Sequence, residues 1–134
     1  QNTTRAMLMT ILAKLDGQDV TGGATWYEKA MTWAKTNGVS DGTMPEVNIT
    51  REQLAVMLYR YAQYKGCDVS VGEDTNILSY TDVAQVAEYA IPAFQWAVGA
   101  GIINGTTAST LSPKGSATRG QVAAILHRYC EWIG

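Results

Sequence analysis

A mainly α-helical fold with little or no sheet follows from three observations. A Thr-Arg pair opens three segments whose apolar residues recur at helical spacing. A second unit, marked by Asp-Val and then by tryptophan with alanine, occurs twice between those segments. Finally, 134 residues with 46% hydrophobic and only 16% charged side chains suffice to close one core without metal or disulfide help.

The first segment is Thr4-Arg5-Ala6-Met7, followed by Leu8, Ile11, Leu12 and Leu15. These lie three, six, seven and ten residues beyond the arginine, which is one face of an α-helix. Thr4 can cap the helix with its hydroxyl, but Met7 is expected to leave the reciprocal half of the capping box unmade. Gly17 follows as a left-handed stop. Asp19-Val20 then leads to Trp26, Ala30, Trp33 and Ala34, a second helical face ended by Gly38 and followed by Val39 and Gly42.

Thr50-Arg51-Glu52-Gln53 repeats the first pattern with Leu54, Met57, Leu58 and Tyr61, and Gly66 ends it. Here Gln53 completes the capping box. A stretch at 67–81, carrying Glu73, Asp74 and Asn76, has no counterpart after the first helix and reads as a solvated, mobile insertion. The acidic group lacks the spacing of a calcium loop. Asp82-Val83, Tyr89, Ala93, Trp96, Ala97, Gly101, Ile102 and Gly105 then restate the Trp unit. Pro92 requires its helix to begin near Glu88 or Tyr89, so that the missing N–H falls in the first turn. A second long loop, 106–117, is expected to be mobile, with extended backbone around Leu111. Thr118-Arg119-Gly120-Gln121 opens the last helix, with Val122, Ile125, Leu126 and Tyr129 on its face and Gln121 completing the cap.

Ten basic and twelve acidic residues give a net charge of −2, with no basic stripe for nucleic acid. No apolar run reaches the roughly 18 residues of a membrane span. One histidine, expected as a partnerless surface side chain at His127, and two cysteines do not make a metal site. Cys67 and Cys130 read as independent thiols. No nucleophile, base and orienting group occur together, and the carboxylates are scattered among caps and loops rather than paired as in a glycosidase. The composition describes a non-catalytic module without cofactor. Gln1 in place of methionine is expected of a processed or excised chain, and Glu131-Trp132-Ile133-Gly134 of a C-terminal end.

Tyr80-Thr81-Asp82-Val83, Trp96-Ala97, Gly101-Ile102-Ile103-Asn104-Gly105, Leu111-Ser112-Pro113 and Ala117-Thr118-Arg119 stand in that order along the chain. Together with Thr4-Arg5 and Thr50-Arg51, they resemble the S-layer homology domain, a cell-wall anchoring module of bacteria. The resemblance implies three motifs in a pseudo-threefold helical bundle with grooves between them. On that plan residues 1–18 are the second half of a first motif, 19–66 a second motif, 67–81 an insertion loop and 82–134 a third motif. It further implies an extracellular location at the cell wall or surface of a Gram-positive bacterium. The implied partner is secondary cell-wall polysaccharide, held without covalent bonds and often through a pyruvylated terminal sugar.

By that resemblance the groove arginines are Arg5, Arg51 and Arg119. Their chemistry suits the role, since a guanidinium meets a pyruvate carboxylate through two parallel bonds. A helix N-terminus adds unpaired N–H groups. Trp26 and Tyr89 are the candidate sugar-stacking rings, while Trp33 and Trp96 belong to the core. Asp19 and Asp82 complete the candidate set, with capping or turn roles as the competing reading. The family's glutamate after Thr-Arg-Ala is replaced by Met7, Gln53 and Gln121. The first motif also lacks its front half, which opens self-association through its uncovered face. A structural or protein-protein interaction module without glycan binding is the alternative.

Overall fold

Each Thr-Arg pair starts a helix in the computed structural model, which describes residues 2–70, 77, 80–103 and 110–133. In order these are α1 (Arg5–Leu15), α2 (Glu28–Thr36), α3 (Arg51–Tyr64), α4 (Ile91–Gly99) and α5 (Arg119–Ile133). Two 3-10 turns, Val83–Gln85 and Glu88–Ala90, precede α4. The second turn runs directly into α4, so Pro92 falls in the first helical turn. Among the described residues there are isolated bridges and no strand.

All three capping boxes are closed. Gln53 and Gln121 accept from the N–H of Thr50 and Thr118 at 3.1 and 3.0 Å. The first box is complete as well, contrary to expectation, because the Met7 sulfur accepts from the Thr4 N–H at 3.3 Å. A thioether is a weak acceptor, but here it is the one in reach.

The residues just before the three capping threonines close a ring. Thr3 N–H donates to the Ala117 carbonyl at 2.9 Å, Ala117 N–H to that of Ile49 at 2.9 Å, and Ile49 N–H to that of Thr3 at 2.8 Å. Paired bridges, Asn2 with Thr118, Thr4 with Asn48 and Thr50 with Ser116, surround this ring in the same cyclic order. Around it, α2 packs on α1 and α4 packs on α3. Each Trp helix also reaches the next Thr-Arg helix. The Trp33 ring lies 6.0 Å from Tyr61, and the Trp96 ring 6.2 Å from Tyr129.

In loop 110–117 the chain turns at residues 113–115, just after Leu111. Ser112 (φ 52°) and Met44 (φ 47°) take matching left-handed conformations before Pro113 and Pro45. Non-glycine residues rarely hold that region. Both Asp82 carboxylate oxygens fix the second copy, accepting from Leu111 and Ser112 N–H at 2.8 and 2.7 Å. Cys67 and Cys130 are free thiols. His127 does have a neighbour, since its Nε2 lies 3.3 Å from Glu131 one turn on. Much of both long loops, including Glu73, Asp74, Asn76, Asn104 and Gly105, lies outside the described residues.

Asp16, capping the end of α1, gathers three elements. Trp33 Nε1 (α2), the Tyr64 hydroxyl (α3) and Lys65 Nζ donate to it at 3.2, 3.0 and 2.7 Å, and Gln18 Nε2 at 2.9 Å. Burial works to raise its pKa, but the bonds from Lys65, Gln18 and Tyr64 prevail and hold it below the ordinary 3.8. A carboxylate with a depressed folded pKa contributes stability above its unfolded value, and that stability is lost as pH falls through the folded one. Urea midpoints at pH 7, 5 and 3 are therefore expected to drop between pH 5 and 3. Asp16→Asn is expected to lower the midpoint at pH 7 and to flatten the acid limb.

Candidate functional site

The three Thr-Arg arginines share a sequence context but not an environment. Arg5 is nearly covered, with Nε donating to the Thr43 carbonyl and Nη2 to Asp41 Oδ1, both at 3.0 Å. Asp41 is itself held below the usual carboxylate range, first by the Thr43 N–H and hydroxyl and then by Arg5. Arg51 is only 4% exposed, and its Nε donates to the Leu111 carbonyl at 2.8 Å. Burial pushes its pKa down, and the neighbouring charge of Asp82 opposes that. Arg119 is exposed.

This difference comes from what crosses each helix start. Val47 and Pro45 carbonyls accept from the N–H groups of Arg5 and Ala6, at 2.9 and 2.8 Å. Gly115 and Pro113 do the same for Arg51 and Glu52, both at 2.9 Å. The first N–H groups of α1 and α3 are thus already satisfied, and the expected anion site at those helix ends is closed. At α5 the N–H groups of Arg119 and Gly120 have no such partner among the described residues.

Arg5 forms one wall of a polar groove of about 190 Å³. Ser40 and Asp41 line it with Arg5, together with Gln53 and Arg60 of α3 and Tyr89. Arg60 and Tyr89 are exposed, and Arg60 has no ion pair among the described residues. A second, apolar cavity of about 400 Å³ lies between α1 and α5, where Met7, Ile11 and Trp26 face Arg119, Ala123 and Leu126. The two are related by the repeat: Met7, Ile11 and Trp26 hold the register positions of Gln53, Met57 and Tyr89.

Of the residues singled out from sequence, Arg5 and Tyr89 share the polar groove, and Arg119 and Trp26 share the apolar cavity. Arg51 is enclosed. Asp19 accepts from the Thr21 N–H and hydroxyl at 3.0 and 2.6 Å, a local turn, and Asp82 serves the 111–112 backbone. Arg60 was not singled out. Its signal lay in the repeat, because a basic residue stands nine beyond each Thr-Arg arginine, as Lys14, Arg60 and Arg128.

The family model for the S-layer homology domain matches residues 79–123, which run from the second Trp unit into α5. The chain carries an S-layer homology domain. Such domains are non-catalytic modules that anchor cell-surface proteins to the cell wall. The chain is also similar to three long proteins. It is 31% identical over 124 residues to an amylopullulanase of Thermoanaerobacterium thermosulfurigenes, covering 87% of this chain and 6% of that protein. It is 33% identical over 100 residues to an endoglucanase of Bacillus sp. (strain KSM-635), covering 75% and 10%. Over 145 aligned positions it is 28% identical to exoglucanase XynX of Acetivibrio thermocellus, covering 98% and 13%. The chain thus spans 6% to 13% of these relatives' lengths. No solved structure matches it. Among the described residues no helix is long and apolar enough to cross a membrane.

Proposed function

We propose that this chain is a non-catalytic anchor that binds an anionic secondary cell-wall polysaccharide, pyruvylated at its terminus, on the surface of a Gram-positive bacterium. The observation that carries the reading is the groove between the Arg5 wall and α3, where an exposed guanidinium, Arg60, shares a polar cavity with an exposed ring, Tyr89. Arg60 supplies the exposed cation and meets the pyruvate carboxylate through paired N–H donors. Tyr89 gives a flat face for the sugar C–H groups. Arg5, gripped by Asp41 and Thr43, has a fixed position and adds positive potential to the wall. Arg51 supports the equivalent loop from beneath, and Asp19 and Asp82 shape loops. Arg119 and Trp26 would serve a second groove.

Calorimetric titration with purified pyruvylated polysaccharide, beside a depyruvylated control, tests this. Binding is expected only with the pyruvylated form and is expected to weaken with added salt. Arg60→Gln is expected to reduce affinity about tenfold or more, the range of one lost charge-assisted hydrogen bond, with melting unchanged. No heat with either glycan, from folded protein, would sink the glycan reading and leave a structural or protein-interaction module.

A further inference from the structure

We infer that Glu52 is a positioning residue for the polar groove, holding the turn that bears Tyr89 onto α3. The inference deepens the glycan reading, and it rests on that reading for its binding consequence alone. Glu52 is a carboxylate with only 3% of its surface exposed, and the α3 capping box uses Gln53 instead. Its two oxygens are divided between two distant segments. Oε1 accepts from the Ala87 N–H at 2.6 Å, and Oε2 from Lys114 Nζ at 2.8 Å. Ala87 caps the 3-10 turn Glu88–Ala90, so the first bond is made two residues before Tyr89. A buried carboxylate is costly unless it is paired and hydrogen-bonded, and here both oxygens are engaged, one of them by a cation.

The repeat shows that this contact is an addition to the common plan. The positions matching Glu52 are Ala6 in α1 and Gly120 in α5, neither of which has a side chain that could accept. The residue matching Ala87 is Ala24, and its N–H donates instead to Glu28, four residues along the same segment and at the surface. The counterpart of Glu28 is Ile91, which offers no side-chain acceptor. The same amide is thus satisfied locally in the turn of Trp26 and from another helix in the turn of Tyr89.

The difference falls where the polar groove has formed. Arg60 belongs to α3, and Tyr89 lines the same cavity with it. Because Glu52 ties the Tyr89 turn to α3, the guanidinium and the ring keep one spacing in the free protein. A ligand that meets both then has less ordering to impose on binding. The same residue also secures the neighbouring loop, through Lys114 and through its own N–H, which donates to the Pro113 carbonyl at 2.9 Å.

Glu52→Ala and Glu52→Gln test this by amide exchange and by titration with the pyruvylated polysaccharide. Ala6 is buried at the matching position of α1, so alanine suits the packing there. In Glu52→Ala the Ala87 amide is expected to exchange at least tenfold faster while the amides of α1 keep their rates. Glu52→Gln retains an acceptor oxygen and is expected to restore most of the protection. Glu52→Ala is also expected to weaken glycan binding about tenfold, and to add no further loss once Tyr89→Ala is present, since it acts through that ring. The assignment is overturned if Ala87 exchange is unchanged in Glu52→Ala, if α1 accelerates equally, or if glutamine fails to rescue. Equal losses of affinity with and without Tyr89 overturn it as well. If the unaltered chain binds no glycan, the functional reading falls, and the Ala87 amide alone decides whether Glu52 holds the turn.

Discussion

Arg51→Ala is expected to destabilise the fold by about 3 kcal/mol or more, the cost of removing one partner from a buried charge network, while Arg119→Ala changes stability by less than about 0.5 kcal/mol. The Arg51 guanidinium is enclosed, and its Nε satisfies the carbonyl of Leu111, a residue with no exposed surface. Without it that carbonyl is left buried and unpaired, and Asp82 loses the positive charge that faces it. The damage extends along the loop. Asp82 pins the Leu111 and Ser112 N–H groups, while Pro113 and Gly115 carbonyls cap the start of α3. Arg51→Lys keeps the charge but not the planar donor, so it should recover only part of the loss. Urea denaturation of the three variants decides the matter, and equal losses for Arg51→Ala and Arg119→Ala would refute this division of roles.

The same comparison governs how binding data are read. An alanine scan of the Thr-Arg arginines scored only by glycan capture would not separate a glycan contact of Arg51 from its hold on the loop, since its variant is expected to fail through the fold. Arg5 is intermediate, because Asp41 is 65% exposed on its side chain and water can replace part of the pair. Arg60 is the position at which affinity and melting should separate.

The helices were legible in the sequence because burial imposes a period. Residues three, six, seven and ten beyond each arginine share one helix face, which is fully buried on α3 and open only at Ile11 and Leu15 of α1 and partly at Leu126 of α5, and a capping threonine marks each start. Trp33 and Trp96 were equally readable, each followed by alanine on an apolar face. The fate of the arginines was not readable. Thr-Arg looks alike in all three copies, and whether the guanidinium is gripped depends on which loop the ring brings over it. Asp82 shows the same limit, since its acceptors' partners lie at 111–112, far along the chain. Met7 misled for a chemical reason, because a methionine at a capping position offers sulfur where glutamine offers oxygen. Arg60 escaped notice because a charge on an exposed helix face ordinarily signals only solvent. Its recurrence nine residues after each arginine was the usable clue.

Trp96→Ala is expected to cost about 4 kcal/mol, within the range for emptying a buried aromatic site, and to lower Tm by roughly 15 °C for a chain of this size. Trp96 is fully enclosed and sits among the rings of Tyr59, Trp132 and Tyr129 at 5.8, 5.5 and 6.2 Å. It is therefore the side chain that ties α4 to both α3 and α5. Trp33, its repeat counterpart, keeps 9% exposure, so Trp33→Ala leaves a site that solvent can partly fill and should cost less. Their indole N–H groups also differ. That of Trp33 reaches Asp16, whereas that of Trp96 is buried with no acceptor among the described residues. Trp96→Phe thus removes an unsatisfied donor along with some apolar area, and the two effects oppose each other. It should lose about 1–2 kcal/mol, well short of the alanine variant. If phenylalanine costs as much as alanine, the N–H has an acceptor that the packing conceals. The consequence reaches the groove, because the turn bearing Tyr89 runs straight into α4. Trp96→Ala should weaken glycan binding by releasing that turn, and Trp96→Phe, which keeps α4 seated, should not.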